Sequence, residues 1–381
     1  MPKIDTNINM DKTDESIIEK IKAKIKYFPE IRNYDDVEEK GSMYYNNANM
    51  VPLNDGNFIY FDQQNLCRIY NKNFEVLLHL TEIKEGNNFL FSPYCETVML
   101  PLSNGHIFSG GFFNSILEIS NDFKNYKVVQ KFEYKSSLDI IEIKNNTLVT
   151  FFHPNKIFIF KKDEKSNLYV KNDEVTKKIV ERKDHKIKKL FNYNNDNFAI
   201  IYDNFIDIYS ISDSSLQFKN QIKLTYEKMK FGKHYLLLND STLIINCYKD
   251  EVEEFEKNLE EIELPGNFEE FFNFNKKQHK GLAVIDLNLN ELVSTFEINN
   301  IVHGLVKYDD NYFICLEEDK LDKSNSIVKV NLWKLNEKKE IHLIKQIEEK
   351  QKNLDEFQSF ENAISKLSDG TIIYTLAYLK M

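Results

Sequence analysis

Several residue types and patterns are scarce in this chain, and each scarcity excludes a class of protein. Its 381 residues include only 11 glycines and 7 prolines, too few for a collagen-like or linker-rich chain. No apolar run approaches the roughly 18 residues that a membrane-spanning helix needs. The first residues also lack the apolar core of a signal peptide. We therefore expect a cytoplasmic protein that does not bind a membrane.

The motifs of common catalytic and metal sites are also missing. Cys67, Cys95, Cys247 and Cys315 include no CxxC pair, which favours reduced thiols in the core over disulfides or a zinc site. The 8 histidines form no HExxH motif and no i, i+4 pair. Walker-type, GxGxxG and GxSxG motifs are absent as well. The sequence thus predicts no catalytic residue, no metal site and no cofactor.

Net positive charge is the last missing feature. The formal charge is −10, whereas a general nucleic-acid binder needs a basic surface that contacts phosphates. Hydrophobic residues make up 42% of the chain, with 29 phenylalanines and 20 tyrosines, enough for a large core. The composition favours other proteins as partners over nucleic acid.

A repeated pattern dominates what is present: an apolar stretch, a short polar turn and a second apolar stretch. This is typical of the inner hairpin of a propeller blade. It occurs seven times, as VPLNDGNFIYFD from Val51, LPLSNGHIFSGG from Leu100, IIEIKNNTLVTFF from Ile140, LFNYNNDNFAIIYD from Leu190, YLLLNDSTLIINCY from Tyr235, LVKYDDNYFICLEE from Leu305 and ISKLSDGTIIYTLAY from Ile364.

Further strands are predicted after most of these hairpins. A third strand of alternating apolar residues follows six of them, and a fourth, outer strand follows in most repeats. The spacing between equivalent turn positions is 49, 41, 51, 44, 69 and 60 residues, against about 40 to 45 for a bare four-stranded blade. The pattern therefore predicts an all-β, seven-bladed β-propeller of four-stranded antiparallel blades, with insertions in the longest repeats.

In this arrangement the chain resembles the WD-repeat propellers, whose third strand often ends in Trp-Asp. Trp333-Lys334 in VNLWKL comes nearest to that dipeptide, while Ile285-Asp286 and Tyr209-Ser210 occupy the corresponding place elsewhere. The Gly-His pair of that family is absent from its usual place, since Gly105-His106 lies in a hairpin turn. The resemblance covers residues 48–381 and implies an interaction scaffold.

The N-terminal segment, residues 1–47, is predicted to complete the last blade, because the seventh repeat ends soon after its second strand. Ile25–Ile31 is the candidate outer strand, and residues 3–10 are a weaker candidate for the third. A competing interpretation makes Ser16–Phe28 a helix that begins with a capping box. Helix and strand both remain open for Lys20–Phe28, so the segment is described as partly helical.

Blade five carries the largest predicted insertion, residues 249–280. Between Lys249 and Glu270 it has ten acidic residues and two lysines, and its apolar residues have helical spacing up to a stop at Pro265-Gly266. One interpretation packs this acidic helix onto the propeller. The other uses it to dock a partner with a basic surface, through Glu253, Glu254, Phe255, Glu260, Glu261, Phe271, Phe272 and Phe274.

The charged stretch from Glu337 to Glu356 is the second departure from the repeat. We expect a solvated connection there, and a long outer strand or a short helix are the alternatives. Together, the fold and the missing motifs predict a non-catalytic, intracellular scaffold for protein–protein interaction. The alternatives are a propeller hydrolase or lyase with its site at the central channel and a structural subunit of a large assembly.

Overall fold

All seven predicted hairpins are pairs of neighbouring strands in the computed structural model of the chain. The structure describes residues 12–28, 31–33, 48–61, 67–80, 84–85, 88–89, 98–110, 114–134, 137–143, 146–152, 156–180, 182, 185–194, 196–212, 215–224, 229–249, 280–298, 300–320, 325–353, 360–375 and 378–380. The all-β, seven-bladed architecture predicted from the sequence is confirmed.

The elements are numbered in chain order. The N-terminal part contains α1 (Lys12–Lys22), β1 (Ile25–Phe28) and β2 (Ile31–Asn33). Blade one contains β3 (Ala48–Pro52), β4 (Phe58–Phe61), β5 (Cys67–Tyr70) and β6 (Val76–His79), and a small hairpin of β7 (Lys84–Glu85) and β8 (Asn88–Phe89) follows. Blade two contains β9 (Val98–Pro101), β10 (Ile107–Gly110), β11 (Ser115–Ile119) and β12 (Tyr126–Lys131). Blade three contains β13 (Ser137–Ile143), β14 (Thr147–Phe152), β15 (Lys156–Lys162) and β16 (Tyr169–Lys171), and the short helix α2 (Asp173–Thr176) follows.

The second half of the chain repeats the same order of strands. Blade four contains β17 (Ile187–Asn194), β18 (Asn197–Tyr202), β19 (Phe205–Ile211) and β20 (Leu216–Lys223). Blade five contains β21 (Met229–Asn239), β22 (Thr242–Lys249), β23 (Lys280–Asp286) and β24 (Glu291–Ile298). Blade six contains β25 (Ile301–Lys307), β26 (Tyr312–Lys320), β27 (Asn325–Leu335) and β28 (Ile341–Asn353). The last strands are β29 (Phe360–Asn362), β30 (Ile364–Lys366), β31 (Ile372–Thr375) and β32 (Tyr378–Lys380).

The hairpins form because short polar turns separate strands that are almost fully buried. Every residue of β4 and of β31 is buried. Gly56, Gly105 and Gly370 occupy three of the turns with φ between 81° and 85°, which glycine adopts without steric cost. Asn146 holds the equivalent position in blade three with φ of 55°, a conformation that asparagine tolerates.

The chain divides into two compact units. The first comprises Met1–Lys22, Tyr202–Ile206 and Gln221–Glu356, and it contains α1 with blades five and six. The second comprises Ala23–Ile201, Asp207–Asn220 and Phe357–Met381, and it contains blades one, two, three and seven with most of blade four. Within the first unit, one apolar cluster joins blades five and six. Within the second, two clusters join blade one to blade two and blade two to blade three.

The N-terminal segment contains both of the competing structures. Helix α1 ends at Lys22, and a strand begins at Ile25. The predicted capping box is wrong, because α1 begins at Lys12 and encloses Ser16. Residues 3–10, the weaker strand candidate, lie outside the described residues.

The N-terminal strand is present, but its predicted outer position is wrong. Strand β1 pairs directly with β31, so it takes the third position in blade seven, and it runs parallel to β31. A hairpin would force antiparallel pairing, but β1 comes from the far end of the sequence and is free of that constraint. The backbone groups at the edge of β31 gain hydrogen-bond partners in this way: the Ile372 amide, for example, donates to the Lys24 carbonyl at 3.0 Å.

The charged stretch after residue 337 is a strand, so the expected solvated connection is wrong. Strand β28 runs for 13 residues and pairs with β27 from Ile341 to Asn353. A long partner strand explains this, because β27 itself extends over 11 residues and leaves a full edge to be paired.

Three of the four cysteines are described, and all three are free and buried, as predicted. Burial raises the pKa of the Cys67 and Cys315 thiols well above the usual value and that of Cys247 to about 12. Thiols in this state are poor nucleophiles. Cys95 lies outside the described residues. No helix among the residues that the structure places is long and apolar enough to cross a membrane.

Gly281 allows strands β23 and β24 to approach closely. A Cβ at this position would lie 2.5 Å from the Phe296 carbonyl oxygen, which belongs to the backbone and cannot swing away. We expect Gly281→Ala to lower the free energy of unfolding by about 3 kcal/mol through overpacking. Urea denaturation followed by the fluorescence of Trp333, the only tryptophan, measures this.

Thr295→Val on the neighbouring strand is the matched control. The Thr295 hydroxyl is buried and has no hydrogen-bond partner among the described residues, so its removal is expected to be neutral or to stabilise by about 1 kcal/mol. If both variants lost the same free energy of unfolding, the close approach of the two strands at Gly281 would not be the reason that a larger side chain destabilises this position.

Candidate interaction surface

The residues predicted to bind a partner lie outside the described residues. They are Glu253, Glu254, Phe255, Glu260, Glu261, Phe271, Phe272 and Phe274, and the predicted helical insertion of blade five lies outside them too.

Several large apolar side chains are exposed among the described residues, and two of them share a neighbour. Val180 precedes blade four and is 37% exposed, and Phe218 on β20 is 43% exposed. Both contact Tyr209 on β19: the Val180 amide donates to the Tyr209 hydroxyl at 3.2 Å, and the rings of Phe218 and Tyr209 lie 5.6 Å apart, edge to face. With Arg182, Val180 and Phe218 form what we call the Phe218 patch.

Tyr209 gives the patch a rigid floor. Its side chain is fully buried and stacks on Phe198 of β18 at 5.5 Å. Burial, together with the nearby Asp207 charge, raises the pKa of Tyr209 to about 12. The hydroxyl therefore stays neutral under physiological conditions and continues to accept the Val180 amide.

Arg182 is held in place by a buried carboxylate. Its Nε donates to Asp207 Oδ2 at 2.9 Å and its Nη2 to Oδ1 at 3.4 Å, the paired geometry that suits a guanidinium group and a carboxylate. Asp207 has no exposed side-chain area, whereas the Arg182 side chain is 27% exposed. The guanidinium carbon lies 5.9 Å from the centre of the Phe218 ring. Arg182 is thus anchored from below and borders the exposed aromatic ring.

The connection from blade three to blade four fixes Val180 and Arg182 in space. Asn172 caps α2 by accepting the Val175 amide at 3.1 Å. The helix then covers part of the edge of β15, where the Ile159 amide donates to the Thr176 hydroxyl at 3.1 Å. The α2 end of the connection is therefore bonded to β15, and Val180 and Arg182 are each hydrogen-bonded to a residue of β19.

A groove of about 910 Å³ lies at the other end of α2. Its charged lining residues are four lysines and four acidic residues, so their formal charges cancel: Lys161, Lys162, Lys165, Lys171, Asp163, Glu164, Asp173 and Glu174. Lys171 is engaged locally, with its ammonium 2.7 Å from Asp173 and 4.2 Å from the centre of the Phe158 ring. A balanced and partly paired lining of this kind does not select a ligand by charge.

Buried polar groups elsewhere join strands. In blade six, His303 Nε2 lies 2.6 Å from Glu318 Oε2, and both side chains are almost fully buried. In the second unit, Asp139 of β13 pairs with Lys189 of β17 at 3.1 Å and accepts the Leu190 amide at 2.7 Å. No group of three or more potential metal ligands occurs in the part of the chain that the structure describes.

Sequence reasoning missed the Phe218 patch, although one signal for it was present. Residues 177–189 contain seven basic and two acidic residues, a net charge of +5 in a chain whose total is −10. A local reversal of charge sign is a sequence-level indication of an interaction surface. Phe218 itself gave no signal, because an aromatic residue in an outer strand is equally compatible with burial.

Sequence comparison finds no family and no curated protein that matches the chain. Comparison of structures finds WD40 propellers. The chain is similar to the RRP9 WD40 repeats, with a TM-score of 0.54 and 10% identity over 87% of this chain and 86% of that one. The C-terminal WD40 domain of Sif2 has a TM-score of 0.42 and 12% identity, over 87% of this chain and 91% of that one. The β-propeller domain of Cps50 (Swd1) from Myceliophteria thermophila has a TM-score of 0.46 and 7% identity, over 85% of this chain and 93% of that one. With the likeness to the RRP9 repeats and seven sheets of blade type, the chain has the fold of a seven-bladed WD40-type β-propeller.

Proposed function

We propose that the chain is a non-catalytic scaffold that binds other proteins, and that the Phe218 patch is one of its contact surfaces. The observation that carries this proposal is an exposed aromatic ring on a rigid, hydrogen-bonded support. Aromatic residues and arginine provide most of the binding energy at protein interfaces. A side chain already held in place loses little conformational entropy on binding.

The composition of the patch supports a protein partner. Phe218 and Val180 supply apolar area, and Arg182 supplies a charged group at its border. An apolar centre with a polar rim is the usual anatomy of a protein interface. The acidic insertion, with Glu253, Glu254, Phe255, Glu260, Glu261, Phe271, Phe272 and Phe274, remains a second proposed contact, for a partner with a basic surface.

A double variant, Val180→Ser with Phe218→Ser, tests the proposal. We expect loss of a specific partner from native lysate, because losing one interface anchor weakens binding by about 2 kcal/mol, or roughly 30-fold. The measurement is quantitative mass spectrometry of proteins captured by the wild-type and variant chains.

Leu289→Ser is the matched control, since Leu289 is 66% exposed in the turn between β23 and β24. It removes exposed apolar area from another surface and should leave the captured proteins unchanged. Identical captured proteins for the double variant and the wild type would contradict a contact at the Phe218 patch. Absence of any specific partner for the wild type would contradict the scaffold proposal itself.

A further inference from the structure

The charge around the Phe218 patch indicates the chemistry of its partner, an inference that rests on the proposed function. Residues 177–189, the connection that leads into blade four and the start of β17, carry a net charge of +5, and Lys189 of β17 is paired with Asp139. The remainder of the chain is strongly acidic, so this segment is a local exception. A basic surface beside an exposed aromatic ring fits a ligand that carries both negative charge and apolar groups.

The described lysines of this region lie close to the patch along the chain. Lys177 and Lys178 are exposed and precede Val180 by two or three residues, and Lys219 is exposed and follows Phe218 directly. Lys186 is also exposed. Each is therefore within about 15 Å of a patch residue along the backbone. These lysines attract a ligand that passes within about 8 Å of them, the Debye length at physiological ionic strength, because beyond that distance their charge is largely screened.

The acidic groups nearby do not cancel this charge at the patch. Asp207 is buried beneath Arg182 and paired with it. Asp173 and Glu174 belong to the first turn of α2, where they line the neighbouring groove, and Asp173 is paired with Lys171. Among the described residues, the exposed charge beside Val180 and Phe218 is therefore positive, and the net charge of +5 already includes Glu181 and Asp184, which lie outside them.

We propose that the Phe218 patch binds an acidic peptide segment of a partner protein, with an aromatic or large aliphatic side chain of that segment packed on Phe218 and Val180. Lys177, Lys178, Lys186 and Lys219 attract the carboxylates and speed the encounter, and the apolar contact provides the affinity. Nucleic acid fits less well. The paired Nε and Nη2 donors of Arg182 already bind Asp207, and the overall charge of −10 repels a long polyanion.

Selection from a displayed library of random 12-residue peptides tests the proposal. The intact wild-type chain is the bait, and Phe218→Ser is the counter-selection. Enriched peptides should carry a net charge of −3 or lower and contain at least one aromatic residue or leucine. Fluorescence anisotropy of the best peptide should show at least tenfold weaker binding at 300 mM than at 50 mM salt.

Two charge-reversal variants distinguish the effect of the local charge on binding from the effect of the net charge. Lys177→Glu with Lys178→Glu should weaken that peptide at least tenfold. Lys124→Glu with Lys127→Glu changes the net charge equally but lies on blade two, where both lysines are exposed, and it should change binding less than threefold.

Three other results would each overturn the inference, and they differ in what they imply for the proposed function. Enriched peptides that need Phe218 but carry no net negative charge would overturn the inference and leave the proposed function in place. A library with no peptide that depends on Phe218 would overturn both. Tighter binding of a labelled 12-nucleotide uridine RNA than of any peptide, abolished in the Lys177/Lys178 variant, would overturn the inference in favour of nucleic acid.

Discussion

Replacement of Asp14 by alanine is expected to lower the free energy of unfolding of the first unit by about 3 kcal/mol. Asp14 of α1 is 2% exposed, and it accepts the Tyr312 hydroxyl at 2.6 Å and the Lys334 ammonium at 3.0 Å. Its removal leaves both groups in a partly buried site without a carboxylate. Trp333, adjacent to Lys334, reports the transition in urea by its fluorescence.

Asp14→Asn is the matched control for this variant, because it keeps the shape and one acceptor but loses the charge. Its free energy of unfolding should lie between those of the wild type and Asp14→Ala. A loss below 1 kcal/mol in the alanine variant would show that the helix is held mainly by the buried faces of Ile17, Ile18 and Ile21.

The stabilisation by Asp14 should depend on pH in a defined direction. Burial alone lowers the pKa of Lys334, but the hydrogen bonds with Tyr312 and Asp14 outweigh it and raise the pKa above the ordinary 10.5. A group whose folded pKa is raised stabilises fully below its unfolded pKa, and this stabilisation is lost as the pH rises through the folded value. The difference between the wild type and Asp14→Ala should therefore be constant from pH 7 to about 9.5 and shrink above about 10.5.

His303→Leu is expected to lower the free energy of unfolding by about 4 kcal/mol, because it leaves the Glu318 carboxylate buried without the imidazole that lies 2.6 Å away. The Glu318 and His303 side chains are only 1% and 6% exposed, so water cannot replace the lost hydrogen bond easily. Fluorescence of Trp333 in the same blade again follows unfolding in urea.

The double variant His303→Leu with Glu318→Leu distinguishes a broken pair from a simple loss of packing. Replacement of both partners by apolar residues removes the buried carboxylate together with the imidazole and should recover most of the stability. A double variant less stable than either single variant would show that the two side chains stabilise blade six independently.

The sequence predicted the blades well because their signal is local. Strands such as Phe58–Phe61 and Ile372–Thr375 are buried on both faces, and polar turns with Gly56 or Gly370 separate them from their partners. Apolar runs and turn residues are visible within a dozen positions of the chain. The free, buried state of the three described cysteines followed from their spacing and from the predicted strands that contain them.

Pairings between distant residues were the part that sequence could not supply. The parallel pairing of β1 with β31 joins residues almost 350 positions apart, and nothing local encodes its direction or its place in the blade. Lys334 occupies the position of the aspartate in the Trp-Asp dipeptide, and only the structure shows that Asp14 of α1 supplies the carboxylate to it.

The candidate surface depends on three-dimensional proximity in the same way. Arg182 and Asp207 are 25 residues apart, and the exposure of Phe218 follows from the residues that happen to cover its neighbours. The predicted contact in the acidic insertion stays a prediction. The reversal of charge at residues 177–189 is visible in the sequence. Only the structure shows that an exposed aromatic ring, Phe218, lies beside it.

Photo-crosslinking from position 218 is the most direct test of the central claim that the Phe218 patch contacts another protein. A photoreactive phenylalanine analogue replaces Phe218 in one chain and Leu289 in another, and both are irradiated in native lysate. We predict a discrete adduct from position 218 that is absent from position 289 and is lost when Lys177 and Lys178 are reversed to glutamate. Equal, diffuse labelling from the two positions would contradict the account.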